Sequence, residues 1–179
     1  MAPEGENLKE HIEKKYGKGA GASFGDPNGR LAQMGRKVGI EFHTERRMVN
    51  MVRAHALVEA VKDTISNDMA NKLMEHLYEL YFVQGKDISN NDILLQAAQT
   101  VAGMDPKDAA MAMETGADDV HQKDRSVKAG WGVSGVPFYV IEQPNNNNNP
   151  QQAKPPVSFS GAYPPNMIAE ELQKAAGVK

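Results

Sequence analysis

The sequence of 179 residues contains no cysteine. This absence excludes a disulfide bond within these residues, a thiolate nucleophile and every metal site that depends on cysteine ligands. Thiol–disulfide exchange begins when a thiolate attacks a sulfur atom, so these residues cannot supply the attacking group of that reaction.

The sequence also lacks a strong excess of one charge and a long apolar run. Its 23 acidic and 20 basic side chains give a net charge of -3, and they are mixed along the chain. This balance gives no electrostatic support for nucleic acid binding. No apolar run approaches the roughly 18 residues that indicate a membrane span. We therefore expect a cytoplasmic protein that binds neither nucleic acid nor a membrane.

Motifs for metal, serine or phosphate chemistry are missing as well. The 5 histidines do not form a His-Glu-x-x-His pattern, so no metal site is predicted. Ser134 and Ser160 lack the Gly-x-Ser-x-Gly elbow of serine hydrolases, and we interpret them as turn residues. His55 borders the apolar stripe of a predicted helix, which is more typical of a hydrogen-bonded histidine at the edge of a core than of a catalyst. No catalytic residue is predicted.

Apolar residues at helical spacing predict a long series of helices before the first convincing strand. Asp26, Asn50, Asp105 and either Asn90 or Ser89 stand where capping residues are expected, and glycines follow most of the stripes. We predict that Met34, Val38, Met111, Met167 and Leu172 face inward. The predicted helices cover residues 7–16, 27–38, 51–65, 68–84, 91–102, 106–115, 118–128 and 165–176, with a short extended piece at 40–42.

The C-terminal part predicts an antiparallel pair of strands. One strand runs to Ile141 from the glycine-rich approach at 132–135, and the other begins at Val157. The proline at 137 follows a valine, and an X-Pro bond prefers trans by only about 0.5–1 kcal/mol, so the local sequence favours trans. Residues 143–156, with five asparagines between prolines, predict a disordered and inert hairpin insertion.

Several motifs occur in an order that resembles one family over nearly the whole chain: Pro3-Glu-Gly5, Gly39-Ile-Glu-Phe42, Asn50 with Ala54-His55, Leu77–Phe82 with Gly85-Lys-Asp-Ile88, Ala102-Gly-Met-Asp105, Gly132-Val-Ser-Gly-Val-Pro-Phe138 and Ser160-Gly-Ala162. The sequence resembles the DsbA-like thioredoxin-fold proteins, and within them the FrnE-type branch, which is related to 2-hydroxychromene-2-carboxylate isomerase.

The resemblance implies an α/β fold that is an incomplete thioredoxin-like fold, mostly helical, with one antiparallel β-hairpin. It implies a single DsbA-like domain over residues 1–179. In that domain a helical block, about 7–130, is inserted into the thioredoxin fold, and the ββα part covers about 131–177.

The resemblance also implies a site. In the family the bond that matches Val136-Pro137 is cis and faces a Cys-x-x-Cys motif, so these two residues would form the substrate-facing turn. Asn50, His55, Gly135 and Gly161 would support it. In relatives a strand, the cysteine-bearing helix and a second strand precede the segment that matches residues 3–5. We therefore expect a chain that is incomplete at its N-terminus and lacks the redox motif.

Three functions stay open from the sequence. The first is a redox-inactive member of the DsbA-like disulfide oxidoreductase family. The second is a non-catalytic module that binds a polypeptide or a second copy through the edge of the strand that begins at Phe138. The third is a glutathione-dependent transferase or isomerase, with glutathione as the one cofactor considered.

Overall fold

The computed structural model describes residues 5–22, 26–142 and 155–177. Most of the predicted disordered insertion, residues 143–154, lies outside the described residues. The chain divides into two units, Met1–Lys123 and Asp124–Lys179. The resemblance implied one domain with a boundary near residue 130, and the division falls slightly earlier, within a helix.

The first unit contains most of the helices. A short strand β1 (Glu6–Asn7) pairs antiparallel with β2 (Arg47–Met48), a pair that the sequence pattern did not indicate. The helices of this unit are α1 (Leu8–Tyr16), α2 (Arg30–Lys37), α3 (Val52–Thr64), α4 (Asn67–Tyr78), α5 (Asn91–Ala97), α6 (Pro106–Thr115) and the first part of α7 (Ala117–Trp131). No helix in the described ranges is both long and apolar enough to span a membrane.

Side chains just before the helices determine where several of them begin. Asn7, Asn90 and Asp105 accept hydrogen bonds from the first free backbone N–H groups of α1, α5 and α6. The Asn50 side chain accepts a bond of 3.0 Å from the N–H of Val52 at the start of α3. Pro106 occupies the first turn of α6, where no intrahelical donor is needed. The predicted caps Asn90 and Asp105 are confirmed, whereas Met51, and not Asn50, occupies the N-cap position of α3.

The core of the first unit forms where α3, α4, α5 and α6 pack together. Leu57, Val61, Leu73 and Leu94 are completely buried. Fully burying an aliphatic side chain contributes about 1.5–3 kcal/mol, so this cluster is the main source of stability for the helical block. The stripes predicted on α3 and α4 face this core, which confirms them.

Two helices continue into π-helical turns that the periodicity did not predict. Glu79–Val83 extend α4, and Ala98–Ala102 extend α5, where one continuous α-helix was expected in each case. Gly103 ends the second of these turns in the left-handed conformation, with φ of 64°. The wider turn changes which side chains face the core after it, and a pattern of 3.6 residues per turn cannot register that change.

A buried arginine joins the segment before α3 to the end of α4. Only 4% of Arg46 is exposed, and its guanidinium lies 5.3 Å from the ring centre of Phe42 and 5.2 Å from that of Phe82. Its Nε donates a hydrogen bond of 3.0 Å to the carbonyl of His43. The Tyr81 hydroxyl donates to the carbonyl of Arg47 at 2.8 Å. These contacts hold residues 42–48 against the π-helical turn of α4.

One predicted helix start, several predicted inward positions and one predicted extended segment are wrong. Asp26 accepts a hydrogen bond from the N–H of Asn28 and forms a turn, and α2 begins later, after Gly29. Met34 and Val38 are exposed, because α2 has few neighbours to cover them. Met111, Met167 and Leu172 are exposed as well. Residues 40–42 do not form a strand. Periodicity identifies one face of a helix, but only the neighbouring elements decide whether that face is covered.

The second unit contains the end of α7, a two-stranded sheet and a further helix. Strand β3 (Phe138–Ile141) pairs antiparallel with β4 (Val157–Ser160), in the order and direction that the sequence predicts. Helix α8 (Pro165–Ala176) begins with a proline in its first turn and ends at Gly177, where φ is 69°. A two-stranded sheet alone is marginally stable, so its side-chain contacts matter for this unit.

Candidate functional site

The turn before β3 exposes apolar surface in the second unit. Val136 is 89% exposed, Pro137 and Gly135 are also exposed, and the peptide bond between Val136 and Pro137 is cis. Gly132 opens the approach to this turn with φ of 63°, a left-handed conformation that favours glycine. The local sequence favoured a trans bond here, whereas the resemblance implied the cis bond.

One hydrogen bond connects this turn to the far end of β4. The N–H of Gly161 donates to the carbonyl of Pro137 at 2.9 Å. Gly161 has φ of 113°, where a side chain would be strained, and a Cβ built on it would lie 3.6 Å from the Tyr163 ring. Of the site residues expected from the resemblance, Pro137 and Gly161 are therefore brought into direct contact.

The same bond determines which backbone groups of β3 face outward. In an antiparallel pair, hydrogen-bonded residue pairs alternate with pairs that are not hydrogen-bonded. Pro137 and Gly161 form a bonded pair, so Tyr139 with Phe159 and Ile141 with Val157 also bond across the two strands, by the observed register. The N–H and C=O groups of Phe138 and Val140 consequently point to the other edge of β3. No strand pairs with that edge among the described residues.

The two faces of the β3–β4 sheet differ in character. Tyr139 stacks on Phe159 with ring centres 4.8 Å apart, and Phe159 stacks on Tyr163 at 5.2 Å. Offset aromatic pairs of this kind contribute about 0.5–1.5 kcal/mol beyond their buried area. The opposite face combines Phe138 and Val140 with the serines of β4. The aromatic stack therefore supports the sheet on one face. It does not cover the outer edge of β3, where the backbone N–H and C=O groups of Phe138 and Val140 point outward.

Asn50 and His55 lie in the first unit, at the start of α3. Asn50 is exposed, and its side chain is engaged with the N–H of Val52. His55 is exposed on α3, so the expectation of a histidine at the edge of the core is wrong. The buried positions of this turn of α3 are Ala54 and Ala56, which lie on either side of it in sequence.

In the parts of the chain that the structure describes, no group of three or more histidine, aspartate or glutamate side chains could hold a metal ion. What the β3 edge offers chemically is therefore backbone hydrogen bonding and apolar contact.

The model of the DSBA-like thioredoxin domain family matches residues 28–173, which is most of the chain. The chain belongs to this family. Membership in the DSBA-like family agrees with the mostly helical α/β architecture and with the two small antiparallel strand pairs, and it confirms the thioredoxin-like fold class. No curated protein matches the chain.

Sequence reasoning located the turn and the strand of this DSBA-like domain but missed two features. The outward direction of the Phe138 and Val140 backbone groups depends on the register with β4, which a single strand does not reveal. The Tyr163 ring in the aromatic stack was also missed. Its position two residues after Gly161, in the turn that leaves β4, is the one local signal that could have indicated it.

Proposed function

We propose that the chain binds an extended polypeptide along the outer edge of β3, next to the Val136-Pro137 turn. The observation that carries the proposal is the line of backbone groups at Phe138 and Val140, with which no strand pairs in residues 5–22, 26–142 and 155–177. An extended segment can add to such an edge as a further strand, since backbone hydrogen bonds form without regard to its sequence.

The exposed turn adds a contact that the backbone alone does not provide. Val136, two residues before the strand, is almost fully exposed, and Val140 is exposed on the strand itself. A peptide strand along this edge would place alternate side chains on the two faces of the sheet. Val136 and Pro137 would then contact apolar side chains of the bound segment, and Gly161 would support the turn through its bond to Pro137.

The proposal includes the absence of redox activity from these 179 residues. The DSBA-like family supports a relationship with disulfide oxidoreductases, but the chain carries no cysteine. Without a thiolate, no sulfur–sulfur bond can be attacked by the chain itself. The domain would then hold a polypeptide without exchanging its disulfides.

Binding along the β3 edge can be tested by amide hydrogen exchange measured by NMR. The probe is the insulin B chain, reduced and carboxymethylated so that it is unfolded and has no free thiol. We expect slower exchange at Phe138 and Val140 when the probe is added. The amides of Tyr139 and Ile141 already bond to β4, so their exchange should change little. Equal protection at all four amides, or at none, would contradict the proposal.

A matched pair of variants separates backbone pairing from side-chain contact. Val140→Pro removes an N–H that points away from β4, a position where an edge strand tolerates proline, and it should abolish binding of the probe while β3 and β4 stay paired. Val140→Ala keeps the N–H and should retain most of the binding. If the proline variant binds the probe as well as the unchanged chain does, the edge is not the binding surface.

Redox silence has its own test. Insulin reduction by dithiothreitol should proceed at the same rate with and without the purified chain. Faster turnover would show that these residues promote the reaction despite having no thiol.

The narrower assignments are also proposals. Membership of the FrnE-type branch is supported by the motifs around residues 39–42, 50–55 and 132–138. The glutathione-dependent alternative stays a prediction, and a calorimetric titration with glutathione that produced saturable heat would favour it over polypeptide binding.

A further inference from the structure

A groove of about 900 Å3 runs between α3 and α6 and reaches the start of α7, entirely within Met1–Lys123. Small side chains such as Ala60 and Ala112 form its floor. Two larger apolar residues stand at it with much of their surface uncovered, Ile65 at 45% and Met111 at 59% exposure. The groove therefore offers apolar surface to another element.

The rim of this groove is strongly anionic. Two cations reach it at Glu59: Lys123 bonds to this carboxylate, and the Lys62 ammonium lies 4.0 Å from it. The bond from Lys123 is the main cause that lowers the pKa of the Glu59 carboxyl. Asp105 is engaged by a backbone N–H as the cap of α6. The carboxylates around the apolar floor are Glu59, Asp63, Asp105, Asp108 and Asp119. We call this feature the acidic groove. An occupant should carry positive charge on both sides of an apolar stripe.

Helix α2 of the same chain presents a surface of that composition. Arg30, Met34 and Val38 follow one another at intervals of four residues and therefore lie on one side of the helix, with Lys37 beside them. Met34 is 53% exposed and Val38, at the C-terminal end, is 72% exposed. The helix contains basic residues and no acidic one. We call Arg30, Met34, Lys37 and Val38 the Met34 face.

We propose that the Met34 face of one copy of this chain docks in the acidic groove of a second copy. Apolar residues would meet the floor near Met111, while Arg30 and Lys37 would approach carboxylates of the rim such as Asp63 and Asp108. Eight helical residues span about 12 Å, which suits contact with a short groove along one side. We choose a second copy as the occupant because the basic Met34 face and the acidic groove have complementary charges and both belong to this chain.

The contact joins two different surfaces, so each copy offers one face and one groove. Two such contacts can close into a symmetric dimer, whereas contacts that do not close build a chain of copies. This association goes beyond the proposed polypeptide binding, because it uses neither β3 nor the Val136-Pro137 turn. The two proposals can therefore fail separately.

Sedimentation velocity tests the association directly. We expect the mass to rise with protein concentration between about 5 μM and about 500 μM, the range for a weak contact between copies. We also expect association to weaken when salt is raised from about 50 mM to about 500 mM, because opposite charges on an exposed rim are screened. A single monomeric species at every concentration in low salt would overturn the proposal.

Charge reversal on each half gives a sharper test. In the double variant Arg30→Glu with Lys37→Glu, an acidic Met34 face would meet the acidic groove of a second copy. In the double variant Asp63→Lys with Asp108→Lys, a basic Met34 face would meet a groove that now carries lysines. Like charges therefore oppose each other in both cases. Each double variant alone should associate at least about tenfold more weakly than the unchanged chain. An equimolar mixture of the two double variants should associate again. The acidic face of the Arg30/Lys37 variant can then bind the groove that carries lysines in the Asp63/Asp108 variant, and the basic face of the Asp63/Asp108 variant can bind the acidic groove of the Arg30/Lys37 variant.

The control variant, Lys18→Glu with Lys86→Glu, reverses the charge of two exposed lysines outside both surfaces. It changes the net charge as much as Arg30→Glu with Lys37→Glu does, and it should associate like the unchanged chain. Circular dichroism confirms that each variant is folded before it is compared. Restored association in the mixture supports the proposal even if one variant is less stable. If the mixture stays monomeric while both variants are folded, or if Val140→Pro alone abolishes association, the contact lies elsewhere and the proposal is wrong.

Discussion

The buried arginine supports a quantitative prediction about the helical block. Arg46 is 4% exposed between the rings of Phe42 and Phe82, and its Nε donates to the carbonyl of His43. A cation over an aromatic ring contributes about 0.5–2 kcal/mol, and a hydrogen bond from a charged group about 1.5–3 kcal/mol. Burial opposes these contributions, because it removes water from the guanidinium and lowers the pKa of Arg46.

We expect Arg46→Ala to lower the free energy of unfolding by about 3 kcal/mol, since it removes the ring contacts, the hydrogen bond and the buried stem together. Arg46→Met keeps most of the apolar stem and should cost about 1–2 kcal/mol. Arg46→Lys should cost more than the methionine variant, because an ammonium must be desolvated without the flat surface that stacks on the rings.

Urea unfolding followed by far-ultraviolet circular dichroism measures these changes, since the helices dominate the signal. A double-mutant cycle with Phe82→Leu isolates the contact between the guanidinium and one ring, and we expect a coupling of about 1 kcal/mol. If Arg46→Met were as stable as the unchanged chain, the guanidinium would contribute nothing net, and the reasoning from the two ring contacts would be refuted.

Further predictions concern the core, a close helix approach and one ion-pair cluster. Leu73→Ala should lower the free energy of unfolding by about 2–5 kcal/mol in urea, because the side chain is completely buried; a smaller loss would mean that the core collapses around the gap. Gly116→Ala should lower the free energy of unfolding by about 1–3 kcal/mol, because the new Cβ would lie 2.8 Å from a backbone oxygen and 2.9 Å from the Ala56 Cβ. Gly130→Ala adds a Cβ to a helical position with open space around it, so it should be neutral or stabilising by up to about 1 kcal/mol. Equal effects of the two substitutions would contradict this. The pKa of Glu6 is lowered from 4.5 to about 2, mainly by a hydrogen bond from Lys14 and to a smaller extent by one with His11. The folded-state pKa is the lower one, so this stabilisation is present above pH 4.5 and is lost as the pH falls toward 2; Glu6→Gln should flatten the fall of the thermal midpoint in that window, and an unchanged pH profile would refute the role of Glu6.

Local sequence was sufficient for many of the element boundaries. Asn90 and Asp105 cap the helices that they were expected to cap, because a side chain reaches the free N–H groups of the next turn without help from the rest of the fold. Gly103 ends its helix because glycine adopts the left-handed conformation easily. The β3–β4 pair was likewise indicated by the glycine-rich approach at 132–135 and by the two runs of strand-forming residues.

Burial was predicted less well, because it depends on what packs against each face. The apolar stripe of α3 is buried since α4 and α6 lie on it, whereas Met34 on α2 and Val38 directly after α2 stay exposed. Arg46 is buried although it is charged, because two rings from different parts of the chain enclose its guanidinium.

The sequence by itself determined the chemistry that this chain lacks, the helical stripes of its first part and the turn and strands of its last part. Those features depend on residue type and on spacing along the chain. Tertiary structure alone decided that Phe138 and Val140 turn their backbone groups to an open edge, because that direction is set by the bond between Pro137 and Gly161, 24 positions away in the sequence. It also decided which apolar faces are left uncovered, since coverage comes from contacts between distant elements and not from the pattern within one helix.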